Sequence, residues 1–416
     1  MRMERVSIIR DIERYFPGSC QKAAVEEPLF VMKGVIQGKM SIEKGKISKN
    51  QAIFLIANSI LASMVLISPA LLTREAGQDA WLTVLIAGFF GFFFGMFVFS
   101  LGLRFPGKNL VEYSIDLLGP WAGRAVAIAF GLYFLYLDSY IVRSFGDLLV
   151  TEAMPETPLV VFTVLIVSLA AYGVYLGLEV FSRVNEIIFP LSVVVAMVFI
   201  GLGIPEMDFY QLKPFFEHPF SDVLRGAVIL FAFYAEGAFF LMILPNLNRP
   251  GQGRQVVLLV SLLLALIMSV DVVALIALFG HEETSRLLFP SFEFAKSVHV
   301  GVFFDRLESL VVGVWVATIA LKVMAFYYIS VLTFAEVFSL KDYRPLVLPF
   351  AFLLSSMSVL GWGNSNQIRI FLQHYFPLLT ITVLGGIILL LYLVALFRRK
   401  ADGKGSENDE GTVSQD

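Results

Sequence analysis

The chain has 416 residues, of which 57% are hydrophobic and only 16% are charged, and its formal net charge is −3. Soluble domains carry about 25% charged residues, so this composition argues against a soluble domain as the main body of the chain. The single cysteine, Cys20, excludes a disulfide framework and a thiolate metal cluster. The sequence shows no metal-ligand spacing of its histidines, no phosphate-binding glycine loop, no catalytic nucleophile motif and no basic stripe for nucleic acid. We therefore expect no metal, no cofactor, no catalytic residue and no nucleic-acid partner.

Long uncharged runs dominate the sequence. Residues 50–72 and residues 80–103 contain no ionisable side chain. About 20 residues at 1.5 Å each cross the hydrocarbon of a lipid bilayer, so such runs are typical of transmembrane helices. We predict an all-α integral membrane protein. The ten predicted spans are 51–73, 80–103, 122–148, 158–180, 184–204, 223–244, 255–279, 307–336, 345–363 and 374–397.

The positions of lysine and arginine indicate the orientation. The first 49 residues carry ten Lys or Arg against six acids, and the basic run at 398–400 follows the last span. Because basic residues are retained on the cytoplasmic side, we expect both termini to be cytoplasmic. We divide the chain into an N-terminal cytoplasmic extension (1–46), a ten-helix membrane domain (47–400) and a disordered cytoplasmic tail (401–416). For the extension, a regulatory tail and an upstream misassigned start both stay open.

Four ionisable residues lie inside predicted spans: Asp138 in the third, Glu236 in the sixth, Asp271 in the seventh and Lys322 in the eighth. A charge at mid-helix costs about 2.5–3.5 kcal/mol on insertion scales, so each suggests a function. Glu236 is 13 residues from Val223 and Lys322 is 13 residues from Ser309, so each lies about 20 Å from the same outer face. At similar depth they could pair.

Each of these charges also has a structural interpretation. The Glu236 and Lys322 pair could hold two helices together, or it could bind a ligand or couple to protons. Asp138 could contact a ligand, or could be neutralised by Arg143 or by water. For Asp271, an interhelical hydrogen bond and a role in a site both remain open.

Glycine and proline positions suggest interrupted helices. Glu236 precedes Gly237 in the middle of the sixth span, and the first span carries Ser68 and Pro69. Discontinuous helices in corresponding halves mark binding sites of transporters, where helix-end amides bind carboxylates. An amino acid suits such a site, with its carboxylate on helix-end amides and its ammonium on Glu236.

Several segments resemble one known family, the B subunits of spore germination receptors, which belong to the amino acid–polyamine–organocation transporter superfamily. The most specific segment is "EAGQDAW" at Glu75–Trp81. The other segments are Ile47–Leu82 as a whole, "RFPGKNLVEYS" from Arg104, "PETPL" from Pro155, "YLGLEVFSRVNEIIFP" from Tyr175, "YAEGAFF" from Tyr234 and "DRLESLVVGVWV" from Asp305.

The resemblance implies a leucine-transporter-like fold of two inverted five-helix repeats, in which the first and sixth helices are discontinuous. It also implies a place in the spore inner membrane beside a receptor A subunit and a lipoprotein C subunit, and a nutrient ligand, often an amino acid. The pocket would lie between the first, third, sixth and eighth helices. The predicted ligand-binding residues are Ala62, Ser63, Met64, Asp138, Tyr234, Glu236, Gly237 and Lys322.

Two functions from different classes remain. The first is a nutrient receptor subunit, favoured by the family-specific segments. The second is a proton-coupled amino acid transporter using Glu236 or Lys322, since one fold serves both. An enzyme is not expected, because no catalytic constellation is present.

Overall fold

The computed structural model describes residue 42, residues 45–297 and residues 307–410. The predicted N-terminal extension therefore lies outside the described residues, except at 42, 45 and 46. The described helices belong to a unit that begins at Glu43.

Helices account for the regular secondary structure of the described residues, apart from one isolated parallel bridge between Ile47 and Leu247. Short 3-10 and π-helical turns join several of these helices. The α-helices in the described part of the chain are α1 Lys49–Ala76, α2 Ala80–Leu103, α3 Leu110–Leu118, α4 Pro120–Leu148, α5 Leu159–Leu176, α6 Leu178–Gly203, α7 Phe220–Ala235, α8 Phe240–Ile243, α9 Gly253–Arg286, α10 Pro290–Ser297, α11 Leu307–Val337, α12 Arg344–Leu360, α13 Ser365–Ile370, α14 Phe376–Thr380 and α15 Gly386–Glu410.

Eight helical runs within the described residues are long and apolar enough to cross a membrane. The first run, Lys49–Leu103, contains both α1 and α2, and Arg344–Leu360 is a shorter apolar helix. These helices lie at the ten predicted positions and indicate an integral membrane protein, while the number of crossings stays a prediction. The last helix, α15, is described as far as Glu410 and so extends into the segment predicted as a tail.

The most buried spans surround the centre of the helix assembly. In the sixth span, 83% of the most apolar window is buried, against 17% in the span that contains α6. Because both windows are strongly hydrophobic, the outer helix presents its side chains to lipid, whereas the sixth span packs against other helices. Polar residues on the central spans therefore lie far from water.

The sixth span is interrupted, as the sequence predicts. The helix α7 ends at Ala235, a 3-10 turn occupies Glu236–Phe239, and α8 follows. This change of helical geometry places Glu236 at the end of α7, inside the assembly.

The predicted break in the first span is wrong. The helix α1 is continuous from Lys49 to Ala76, through Ala62, Ser63 and Met64. The physical reason is local composition, because alanine and methionine propagate a helix well and no glycine is present at these three positions.

Pro69 lies inside α1 without ending it. Its missing N–H leaves the carbonyl of Val65, four residues earlier, without its helical donor. The hydroxyl of Ser291 on α10 donates to this carbonyl at 3.0 Å. A side chain from another helix thus lies within hydrogen-bond distance of the backbone group that the proline frees.

The turn that joins α1 to α2 also holds the loop before α7. The Asp79 carboxylate accepts the backbone N–H groups of Phe216 at 2.8 Å and His218 at 3.1 Å. The Gln78 amide donates to a carbonyl of the same loop. These contacts give the "EAGQDAW" segment a structural role at this turn.

Gly77 cannot accommodate a side chain in this turn. Its φ is +53°, and a Cβ there would lie 2.1 Å from the imidazole of His218. Gly107 provides a matched control, because its φ is +79° but nothing lies within 4 Å of its Cβ position. We expect Gly107→Ala to cost about 1–2 kcal/mol from backbone strain alone, and Gly77→Ala to cost more.

Thermal melting of the purified protein in detergent measures this difference. Removing the clash with His218→Ala should recover part of the stability lost in Gly77→Ala. Equal melting temperatures for the two glycine variants would show that the contact with His218 is unimportant.

Candidate functional site

A lysine and a glutamate form an ion pair at the centre of the described helices. The Nζ of Lys322 on α11 lies 2.8 Å from Oε2 of Glu236, and both side chains are 0% exposed. The sequence predicts similar depths for these two residues, and the contact confirms this prediction. Their ligand-binding roles stay predictions.

Ser63 joins α1 to the pair. The Nζ of Lys322 donates to Ser63 Oγ at 2.6 Å and lies 4.8 Å from the centroid of the Phe326 ring. The ammonium group therefore connects the first, sixth and eighth predicted spans at one point.

Several polar atoms beside the pair have no hydrogen-bond partner among the described residues. They are Oε1 of Glu236, both carboxylate oxygens of Asp138 and the hydroxyl of Tyr140. Asp138 is 0% exposed and lies within electrostatic range of Lys322 and Glu236. The Tyr140 hydroxyl lies near Ser63 and Glu236 without a well-formed hydrogen bond to either.

We call Ser63, Asp138, Tyr140, Glu236 and Lys322 the polar cluster. A buried polar group without a partner costs about 1–3 kcal/mol. The cluster also contains two acids and one base, so one additional cationic group would balance its formal charge. These features are what a binding site for a small polar ligand requires.

The remaining predicted ligand residues lie elsewhere. Ala62 lines a cavity between α1, α6, α9, α10 and α11, and Met64 is fully buried. Tyr234 and Gly237 line another cavity, between α1, α2, α8 and α9. The structure thus brings four of the eight predicted residues, namely Ser63, Asp138, Glu236 and Lys322, to the polar cluster.

The alternative in which Arg143 neutralises Asp138 is wrong. Arg143 instead forms an ion pair with Asp147, one turn along α4, with Nε 2.9 Å from Oδ1. It also donates to the backbone carbonyls of Trp362 and Gly363. Arg143 thereby holds α4 to the segment between α12 and α13, and Asp138 faces the polar cluster.

Sequence reasoning missed Tyr140. Its position two residues after Asp138 gives no signal by itself, because tyrosine is common in membrane helices and its hydroxyl reaches the cluster only through the packing of α4. The carboxylate of Asp271 lies 3.2 Å from the hydroxyl of Ser291, so it contacts a polar group on another helix, α10.

Near its C-terminal end, α10 forms an ion pair with the segment that follows α4. Lys296 Nζ lies 2.7 Å from Glu152 Oε2 and 3.2 Å from Glu293 Oε1. The hydrogen bond that Lys296 donates to the Glu152 carboxylate raises the pKa of Lys296 above its ordinary value, so its ammonium is charged at neutral pH.

No group of three or more metal-ligating side chains is found in the part of the chain that the structure describes. The polar cluster supplies a carboxylate pair, an ammonium and hydroxyls instead. Such groups can bind and orient a small charged molecule.

The fold resembles that of known secondary transporters. A sodium-coupled sialic acid symporter has a TM-score of 0.65 with 13% identity, covering 88% of this chain and 84% of that chain. Mhp1, a nucleobase-cation-symport-1 family transporter in a closed conformation with bromovinylhydantoin bound, has a TM-score of 0.62 with 14% identity, covering 84% and 80%. The protein is therefore an integral membrane protein with the leucine-transporter-like fold.

Sequence comparison identifies the family. Residues 46–368 match the family described as spore germination protein. Spore germination protein KB of Bacillus subtilis is 26% identical over 380 residues, covering 88% of this chain and 99% of that protein. Spore germination protein YndE of the same organism is 25% identical over 365 residues, covering 86% and 98%. The chain belongs to the spore germination protein family.

The buried ion pair predicts a specific pattern of stability. Removing one partner of a buried pair costs about 3–5 kcal/mol, because the other charge is left buried and uncompensated. We expect Glu236→Gln to melt at a lower temperature than the unmodified protein. The double variant Glu236→Gln/Lys322→Met should regain stability over Glu236→Gln, because it buries no unpaired ammonium.

Thermal melting in detergent tests this pattern, together with the amount of folded protein recovered from membranes. The exposed pair of Glu179 and Arg183 is the control, since surface pairs contribute about 0–1 kcal/mol. If the double variant is less stable than either single variant, the two residues do not act mainly as partners.

Proposed function

We propose that this protein is the nutrient-sensing subunit of a spore germination receptor, which binds a small zwitterion such as an amino acid at the polar cluster. The observation that carries the proposal is the fully buried pair of Lys322 and Glu236, beside the unpartnered oxygens of Glu236 and Asp138. Membership of the spore germination protein family supports the biological role.

A zwitterion matches the cluster because it carries both charges that the cluster can accept. Its ammonium would bind Glu236 Oε1 and the Asp138 carboxylate, which have no described partner. Its carboxylate would bind the ammonium of Lys322 and the hydroxyl of Ser63. Charge-assisted hydrogen bonds of this kind are about twice as strong as neutral ones.

Signalling follows if the ligand binds one arrangement of the helices more tightly than another. The cluster joins the first, third, sixth and eighth predicted spans, so a ligand that inserts between Lys322 and Glu236 changes how these spans are held together. The change would be transmitted to a receptor A subunit and a lipoprotein C subunit in the spore inner membrane. The excess of basic residues before the first span supports cytoplasmic termini.

The second candidate is a proton-coupled amino acid transporter. Its supporting observation is the fold shared with transporters that include a sodium-coupled symporter. In this function the excess acid of the cluster would carry a proton across the membrane with the substrate. Both candidate functions use the polar cluster as the binding site, and they differ in whether the ligand crosses the membrane.

An assay of spores in the native host separates the two candidates. We expect a deletion strain to lose the germination response to one nutrient, while uptake of labelled amino acids by vegetative cells is unchanged. Normal germination together with a missing uptake activity would identify a transporter instead.

Substitutions in the polar cluster test the site itself. At matched protein amounts, Asp138→Asn should raise the nutrient concentration needed for half-maximal germination by about tenfold or more, because a charged partner of the ammonium is lost. Glu236→Gln should abolish or strongly shift the response, whereas the exposed control Glu179→Gln should leave it unchanged. An unaltered dose response in both cluster variants would rule out this binding site.

A further inference from the structure

The cavity that Ala62 lines lies on a different face of α1 from the polar cluster, and we call it the second cavity. Its volume is about 110 Å³, and it is bordered by α1, α6, α9, α10 and α11. Among the described residues, no member of the polar cluster lines it. Since one water needs about 10–15 Å³ by this kind of measure, the cavity has room for a molecule of several heavy atoms.

The cavity is apolar except for a few groups. Aliphatic side chains and the rings of Phe199 and Trp315 form most of its wall. The amide of Asn58 is already committed, because it donates to the backbone carbonyl of Thr318 at 3.0 Å. Asp271 is the one acidic residue of the described lining, and no basic residue is described there.

The Asp271 carboxylate has fewer hydrogen-bond donors than its two oxygens can accept. Its side chain is more than nine-tenths buried, and its described hydrogen-bond partner is the Ser291 hydroxyl, 3.2 and 3.3 Å from its two oxygens. The same hydroxyl lies 3.0 Å from the carbonyl of Val65, which Pro69 leaves without a helical donor. A hydroxyl has one hydrogen to donate, so one of these two acceptors is always left short.

We propose that this cavity is a second ligand site, which binds a small primary ammonium with an apolar body. The ammonium would donate to Asp271, and the hydrocarbon would lie against Phe199, Trp315 and the aliphatic wall. Pockets of this kind, apolar with one well-placed charged group, are typical of small-molecule sites.

The chemistry of the wall selects this class of ligand. A metal cation such as sodium or calcium requires several oxygen ligands, and most of this wall offers hydrocarbon. A neutral apolar molecule would leave Asp271 without a counter-charge. An organic ammonium satisfies both the carboxylate and the aromatic rings, which attract cations through their faces.

The proposed site also contacts α10, the short helix that forms part of the cavity wall. Ser291 on α10 bridges Asp271 on α9 and Val65 on α1. A ligand that donates to Asp271 frees the Ser291 hydroxyl for Val65, which strengthens the contact of α10 with α1. Binding of a ligand in this cavity would therefore change the contacts of α1, which also carries Ser63 of the polar cluster.

Thermal melting of the purified full-length chain in detergent tests the proposal. The probes are butylammonium and benzylammonium, and the matched controls are butanol, benzyl alcohol and sodium ion. We expect a saturable rise in melting temperature with the ammonium probes and not with the controls. Asp271→Asn should weaken the apparent affinity by about tenfold or more, because the charged acceptor is lost.

Two further variants keep the test informative if Asp271→Asn does not fold. Ala274→Leu fills the cavity from α9 and should abolish the shift. Asp138→Asn alters the polar cluster and should leave the shift unchanged, which separates this site from the proposed function. The proposal is overturned if no ammonium probe raises the melting temperature, if Ala274→Leu binds as the unmodified chain does, or if Asp138→Asn removes the shift.

Discussion

The ion pair of Lys322 and Glu236 is the constraint on which the rest of the membrane domain depends. Burying either of these charges without the other in this apolar interior costs about 3–5 kcal/mol. The pair forms only if the end of α7 and the middle of α11 meet. Ser63 adds α1 to the same point, so a single buried lysine sets the relative positions of three helices.

Close helix packing brings the third span to this point. The hydroxyl of Ser330 on α11 donates to the carbonyl of Gly131 on α4 at 3.1 Å, where glycine lets the two helices approach. Asp138 lies seven residues beyond Gly131, which is two turns along the same face of α4. On α11, Lys322 lies about two turns from Ser330, toward the N-terminus of the helix. Asp138 and Lys322 are therefore brought to one level by backbone packing.

The sequence predicts the parts of this arrangement that depend on depth and composition. Hydropathy places the spans, and counting residues from the outer face places Glu236 and Lys322 at one level. The sequence does not predict which face of α4 points inward, so the pairing of Arg143 with Asp147 and the part played by Tyr140 are seen only in the structure. The wrong prediction of a break in α1 rested on Ser68 and Pro69 as well as on the resemblance, whereas the local residues Ala62, Ser63 and Met64 favour a helix.

The continuity of α1 bears on how a ligand could act. Ser63 faces the polar cluster, while Asn58, Ala62 and Val65 face the second cavity, so one rigid helix separates two candidate sites. At its start, Gln51 donates to Glu186 of α6 at 2.8 Å. A continuous helix transmits a shift along its whole length, whereas a broken one would absorb it at the break. Displacement of α1 by a ligand at the polar cluster would therefore reach its N-terminal end, where Gln51 contacts α6.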